Sequence, residues 1–211
     1  YNELITKTQP EVKKITLKNP KTDKVTAKIK NGQICYDVEV AFEVTNPIQG
    51  LVVCVSCGNT SKDITLNKKT SYTATLTDLE SPSGTIDISY SKKNPSVEIN
   101  SLDYYKGSDS QDFVRLVTWD EELPSSGVLT TKYNASTYDV TFIKTGDDWT
   151  PDSKPIPLAR AKFAIDIKKG NDTISNWKTA TSDGSGGVKF TGIPKGFSYT
   201  IRETVAPELY K

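Results

Sequence analysis

The side chains that carry most biological chemistry are scarce in this chain. Its 211 residues include no histidine and no methionine, which removes the commonest general base and the usual nitrogen ligand for a metal. We therefore expect no metal, no cofactor and no enzymatic turnover. Three cysteines, Cys35, Cys54 and Cys57, are an odd number, so at least one thiol stays unpaired within the chain. Cys54 and Cys57 form a C-x-x-C. However, Val53-Cys54-Val55 reads as strand interior, not as the helix N-terminus that lowers a thiol pKa in redox motifs. Two thiolates without a second pair or a histidine also make a poor zinc site. The expected use of the cysteines is a disulfide from Cys35 to Cys54 or Cys57, facing each other across a sandwich. Asp147, Asp148, Asp152 and Asp172 lack the alternating spacing of a calcium loop and read as solvated. Lys13, Lys14 and Lys18, with Asn134 and the acids Asp37, Glu39 and Glu43, could supply amine, amide and carboxyl to a side-chain crosslink. Lysines are frequent enough here to provide such a set by chance.

Any such chemistry has to be positioned by strands. Thr, Ser, Val, Ile and Tyr dominate, and apolar residues alternate with polar ones over short runs, the period-2 sign of half-buried strands. Lys14–Leu17, Tyr36–Val44, Tyr72–Leu76 and Thr85–Tyr90 show it, bounded by turn chemistry at Asn31-Gly32, Asn46-Pro47, Cys57-Gly58-Asn59, Pro82-Ser83-Gly84 and Asn94-Pro95. Phe113–Trp119 reads as a further strand between breakers, and a new run opens at Tyr138–Lys144, with Tyr138, Val140 and Phe142 on one face and Thr141 and Ile143 on the other. The spacing predicts an all-β protein of two tandem Ig-like β-sandwich domains, residues 1–136 and 137–211, with the boundary near Ser136. Hydrophobic residues at 35%, charged residues at 25% and a net charge of +1 fit a globular chain with no basic excess for nucleic acid. No run of about 18 apolar residues could insert in a membrane, and the chain reads as a mature or excised fragment.

From Tyr138 onward the residues fall into a recognisable order. A strand bearing a lysine, Val140-Thr141-Phe142-Ile143-Lys144, is followed by a polar loop and by Leu158-Ala159-Arg160-Ala161-Lys162-Phe163. Then come Thr181-Ser182-Asp183-Gly184, Gly187–Ile193 and Gly196-Phe197-Ser198-Tyr199-Thr200-Ile201-Arg202-Glu203-Thr204-Val205-Ala206-Pro207-Glu208-Leu209-Tyr210. This stretch, about a third of the chain, resembles a Cna protein B-type domain of Gram-positive cell-wall-anchored pilins and adhesins. Arg160 stands where that family usually has glycine, and Leu209 replaces the glycine before the final tyrosine.

The resemblance implies that Lys144 is the amine and Glu203 the catalytic carboxyl of a spontaneous intramolecular isopeptide bond. The Asn or Asp acceptor, which the family carries on its last strand, is not in 137–211; either the fragment is cut short of that strand or a strand from elsewhere completes the sheet. The chemistry needs burial, because an ammonium is no nucleophile: apolar surroundings must favour a neutral amine and a protonated carboxyl that polarises the acceptor carbonyl. Phe142, Phe163, Phe190 and Trp177 are the expected wall, and Lys144 and Glu203 are expected within hydrogen-bonding distance, both largely buried. The bland alternative is an exposed lysine–glutamate pair worth about 0.2–1 kcal/mol. A module without its last strand has an open edge that invites strand addition. The resemblance further implies an extracellular, wall-anchored structural stalk whose partners are other pilin or adhesin domains or subunits. The alternative is an N-terminal adhesin module that grips a host matrix protein or glycan through Asp103–Lys106 and Asp120–Leu123. Ile34-Cys35-Tyr36 is similar to the Cys-Tyr pair of streptococcal-type thioester domains, with Gln111 as nearest partner, but nothing around Gln111 matches that family.

Overall fold

The computed structural model describes residues 15–47, 49–91, 105–106, 113–114, 128–147, 151–152 and 154–207. Lys13, Lys14, Asp103, Tyr104, Gln111, Asp120–Leu123, Asp148 and Leu209-Tyr210 lie outside them, so the expectations placed there have no structural counterpart. The elements among the described residues are β-strands, and the chain is all-β with two β-rich regions. It divides into two compact units. One is built on 15–24, Asp37–Leu79 and the strands from Ser83 to Tyr133. The other is built on Val25–Tyr36, Glu80–Pro82 and the residues from Asn134 onward.

β1 (Thr16–Lys30), β2 (Gln33–Thr45) and β5 (Ser71–Leu79) form one sheet, in that order, of which the β1–β2 hairpin end, Val25–Tyr36, is grouped with the second unit and the rest with the first. The second sheet has the order β4 (Thr60–Thr65), β3 (Val52–Cys57), β6 (Ser83–Tyr90), β9 (Leu129–Asn134). Three strands plus four is the count of a seven-stranded Ig-like sandwich. A small hairpin of β7 (Tyr105–Lys106) and β8 (Phe113–Val114) is formed between β6 and β9 in sequence. The alternation read from the sequence becomes the core: Val38, Val40, Phe42 and Val44 of β2 and Val53 and Val55 of β3 are at most 1% exposed. β1 runs well past Leu17, through Asn19 at φ 52 and Pro20. Asn31 (φ 52) and Gly32 (φ 72) form the tight turn into β2, both in the left-handed region that suits a two-residue hairpin. Tyr72 stacks on Phe42 at 5.6 Å. Its hydroxyl folds back on Asn67, accepting the Asn67 N–H at 3.1 Å and donating to the Asn67 carbonyl at 3.0 Å, which pins the corner leading into β5.

The expected disulfide is not formed: none of Cys35, Cys54 and Cys57 is in a disulfide. Strand parity is the reason. The core stripe of β2 is even-numbered, from Val38 to Val44, so Cys35, although buried, lies on the opposite face. On β3 the core positions are Val53 and Val55, so Cys54 faces away from them. Cys57 ends β3 beside Gly84, where a Cβ would lie 3.2 Å from its Sγ and 2.9 Å from the Tyr133 ring.

In the second unit β10 (Thr137–Ile143) pairs antiparallel with β15 (Gly187–Pro194), Val140 opposite Phe190 and Phe142 opposite Val188. A three-stranded sheet runs β14 (Asp172–Thr181), β13 (Lys162–Lys169), β16 (Ser198–Val205). A short ladder joins β11 (Thr145–Gly146) to β12 (Ile156–Pro157). Phe163, Ile165, Ile167, Val188, Phe190, Ile193 and Phe197, none more than 5% exposed, fill the space between the sheets. Arg160 keeps the glycine-type backbone, at φ 68, so a residue with a Cβ carries a conformation that costs about 1–2 kcal/mol.

Candidate functional site

The alternation of β10 leaves Thr137, Asp139, Thr141 and Ile143 exposed and turns Tyr138, Val140 and Phe142 inward, half-buried. Lys144 continues that inward face one residue beyond the strand. On the facing sheet the β13–β16 register sets Tyr199 opposite Ile167, Ile201 opposite Ile165 and Glu203 opposite Phe163. Glu203 therefore shares the core-facing side of its sheet. The two side chains meet between the sheets, with Lys144 Nζ 3.0 Å from Glu203 Oε2.

Their burial differs from expectation. The side chains are 26% and 31% exposed, and over the whole residue Lys144 is half-buried and Glu203 exposed, where the chemistry called for deep burial. Among the described residues β10 pairs with β15 alone and β16 with β13 alone, so the inward faces of both outer strands are left uncovered. Tyr199, at 43% exposure, lies on that strip although its register opposite Ile167 points it at the core; past Glu203 a register shift sets Val205 opposite Lys162, on the outer face. As it stands the pair is a partly solvated ion bridge, worth no more than about 1 kcal/mol.

The aromatic wall is partly as read. Phe142 meets Phe163 edge to face, centroids 5.1 Å apart at 86°, and Phe190 is 2% exposed. Trp177 is no part of it: it is half-buried on β14, with the Lys178 ammonium 4.4 Å over its ring. Instead Tyr138 and Tyr199, at 6.3 Å, close the far end of the strip, the Tyr138 hydroxyl donating to the Phe197 carbonyl at 2.9 Å.

Three carboxylates of the second unit, Asp183, Asp166 and Asp139, were given no role in the sequence reading. Asp183 Oδ1 accepts the Gly187 N–H at 2.8 Å, the Ser185 N–H at 2.9 Å and the Ser185 hydroxyl at 2.9 Å. These bonds, the Gly187 one foremost, hold its carboxyl below the usual carboxylate range. Arg202, with the Asn176 N–H, does the same for Asp166. The Gly192 N–H, with Lys189, does so for Asp139. The run Ser182-Asp183-Gly184-Ser185-Gly186-Gly187 was the one legible signal of such a turn.

In the first unit two of the three acids considered for a crosslink bond to residues at positive φ. Asp37 accepts the N–H of Asp78, whose φ is 61, at 3.0 Å, and Glu43 accepts the Asn19 amide at 2.8 Å.

No curated protein and no solved structure matches the chain. The family model of the SpaA prealbumin-like fold domain matches residues 129–211. The match takes in β9 as well as the whole stretch from Tyr138. The C-terminal part of the chain is a SpaA prealbumin-like fold domain, a kind typical of Gram-positive pilin and adhesin proteins.

Proposed function

We propose that the chain is a structural stalk module of an extracellular, wall-anchored pilin or adhesin. In this reading an Ig-like domain, 1–136, precedes a Cna protein B-type domain, 137–211, and the partners are other pilin or adhesin domains or subunits. Lys144 forms an amide with an Asn or Asp of a further strand that lies along the outer edge of β10. The observation that carries it is the 3.0 Å Lys144–Glu203 contact set between two sheets, at the rim where both outer strands are uncovered.

The backbone supports that edge. Lys144 N–H points to Gly186 on the β15 side, at 2.8 Å, so alternation turns the N–H and C=O of Thr141 and Ile143 the other way. An added strand takes up those groups, and its inward side chains cover Tyr199. Covering the strip expels water, which disfavours separated charges and moves the proton from ammonium to carboxylate. The free amine attacks the side-chain carbonyl carbon, and a C–N bond forms. Glu203 hands the proton to the leaving group, which departs as ammonia from Asn or as water from Asp, and the carboxylate so regenerated takes up the second proton that the amine nitrogen sheds as it becomes the amide N–H. The event is a single self-crosslink, not turnover.

The natural protein, isolated from its surface and digested, tests this by mass. The expected product is a branched peptide holding Lys144, lighter than the sum of its parts by one ammonia or one water, and absent from Glu203→Gln. Recovery of Lys144 only in a linear peptide would leave the stalk fold standing and remove the crosslink.

A further inference from the structure

Lys144 lies just past the end of β10, where a strand ordinarily frays, yet both of its backbone groups are held. Its N–H donates to the Gly186 carbonyl at 2.8 Å and its carbonyl accepts the Leu158 N–H at 2.9 Å. Gly186 has φ +76, and a Cβ there would lie 2.5 Å from the Lys144 carbonyl oxygen, 3.1 Å from Ile143 Cγ2 and 3.2 Å from the Leu158 nitrogen. Only glycine fits so close to the lysine backbone.

Gly186 is held in turn. Its N–H donates to the Asp183 carbonyl at 2.9 Å, and the Asp183 N–H donates to Gly187 at 3.0 Å, while the Asp183 carboxylate gathers three donors from Ser185 and Gly187. Next to it Ser182, only 4% exposed, accepts the Ala161 N–H on its hydroxyl at 2.9 Å and donates its own N–H to the Ala161 carbonyl at 2.9 Å. Ala161 is fully buried, and three residues before it Leu158 returns to Lys144. The bonds thus close a circuit from Lys144 through Gly186, Asp183, Ser182, Ala161 and Leu158 back to Lys144. Neither Lys144 Nζ nor Glu203 takes part in it.

We propose that this circuit is a clasp whose role is to aim the Lys144 amine at Glu203, with Gly186 and Asp183 as positioning residues. A misplacement of about 1 Å at a reacting group can cost on the order of a hundredfold in rate, and Lys144 Nζ sits at the end of a flexible four-carbon stem. Fixing the root of that stem leaves only side-chain rotations between the amine and its partner. The inference deepens the crosslink reading but has a separate readout, because the aim of Lys144 can be measured whether or not an amide ever forms.

The measurement is trace acylation of the whole chain with acetic anhydride, read lysine by lysine by mass spectrometry, with exposed Lys62 as internal reference. Glu203→Gln first establishes that the Lys144:Lys62 ratio reports the pair, by raising it about fivefold. Gly186→Ala is expected to raise it similarly. Gly192→Ala imposes the same kind of backbone strain at φ +74 with no heavy atom nearer than Lys178 Nζ at 3.6 Å, and is expected to leave the ratio unchanged. Gly184→Ala, with nothing within 4 Å, is also expected to leave it unchanged. Asp183→Ala gives the same answer as Gly186→Ala without the clash, should the latter fail to fold. An unchanged ratio in Asp183→Ala, or an equal rise in Gly192→Ala, overturns the clasp. A linear Lys144 in the natural protein overturns the crosslink alone.

Discussion

At the scale of single residues, Lys144 and Glu203 contribute little to stability in their present half-exposed state. Glu203→Gln, measured by urea unfolding of this chain, is expected to change stability by less than about 1 kcal/mol, while abolishing the branched peptide in the natural protein. A loss of several kcal/mol would mean that the pair is a structural bridge. Asp183 makes a different contribution. Its folded carboxyl titrates below the usual range because of the Gly187 and Ser185 bonds, whereas the unfolded carboxyl titrates near about 3.9. A depressed folded value gives stability that is fully present above the unfolded value and is lost as pH falls through the folded one. The stability difference between the parent chain and Asp183→Asn, followed by thermal unfolding against pH, should be flat above about pH 5 and shrink below about pH 4. A difference that grows on acidification contradicts the assignment.

At the scale of elements, local backbone conformation makes sharp demands. Arg160 occupies the left-handed region at φ 68, and its contribution to the turn is a backbone bond, its N–H donating to Ser182 at 2.9 Å. Arg160→Gly is therefore expected to stabilise the second unit by about 1 kcal/mol, visible as a higher unfolding midpoint. Phe190, opposite Val140 and 2% exposed, is the centre of the β10–β15 sheet. Phe190→Ala should cost about 3–5 kcal/mol through the cavity it leaves, measured by denaturant unfolding; a cost under about 1 kcal/mol would show that the site collapses or was never packed.

At the scale of the molecule, a stalk is judged by how it bears force, and a sheet whose outer strand is held only by backbone bonds can be peeled bond by bond. An amide from Lys144 to the strand beyond β10 ties first strand to last and shortens the unfolded chain. By analogy with a disulfide it should add about 2–4 kcal/mol. In the natural protein the transition involving this domain should then fall by more than about 10 °C in Glu203→Gln, although the same change in the uncrosslinked chain scarcely moves it. Equal melting of the two natural forms would remove the amide as a source of stability.

Much of this was legible in the sequence because it depends on local rules. Strict alternation from Tyr36 to Val44 and from Tyr138 to Lys144 fixes which side chains face a core, whatever that core contains. Asn31-Gly32 demands a tight turn because few other pairs enter the left-handed region cheaply, whereas the meeting of Lys144 and Glu203 was implied by the resemblance of that stretch to a known family. Depth and partners were decided only in three dimensions. Lys144 is half-buried and Glu203 exposed, because burial depends on what covers β10 and β16, which no residue near either one encodes. Cys35 misses Cys54 and Cys57 because parity is counted along each strand from a register that pairing sets. The clasp joins Lys144 to Gly186 and Leu158 to Lys144 across long loops, through backbone groups that every residue carries, so side-chain identity betrayed it only at the glycine whose missing Cβ makes room.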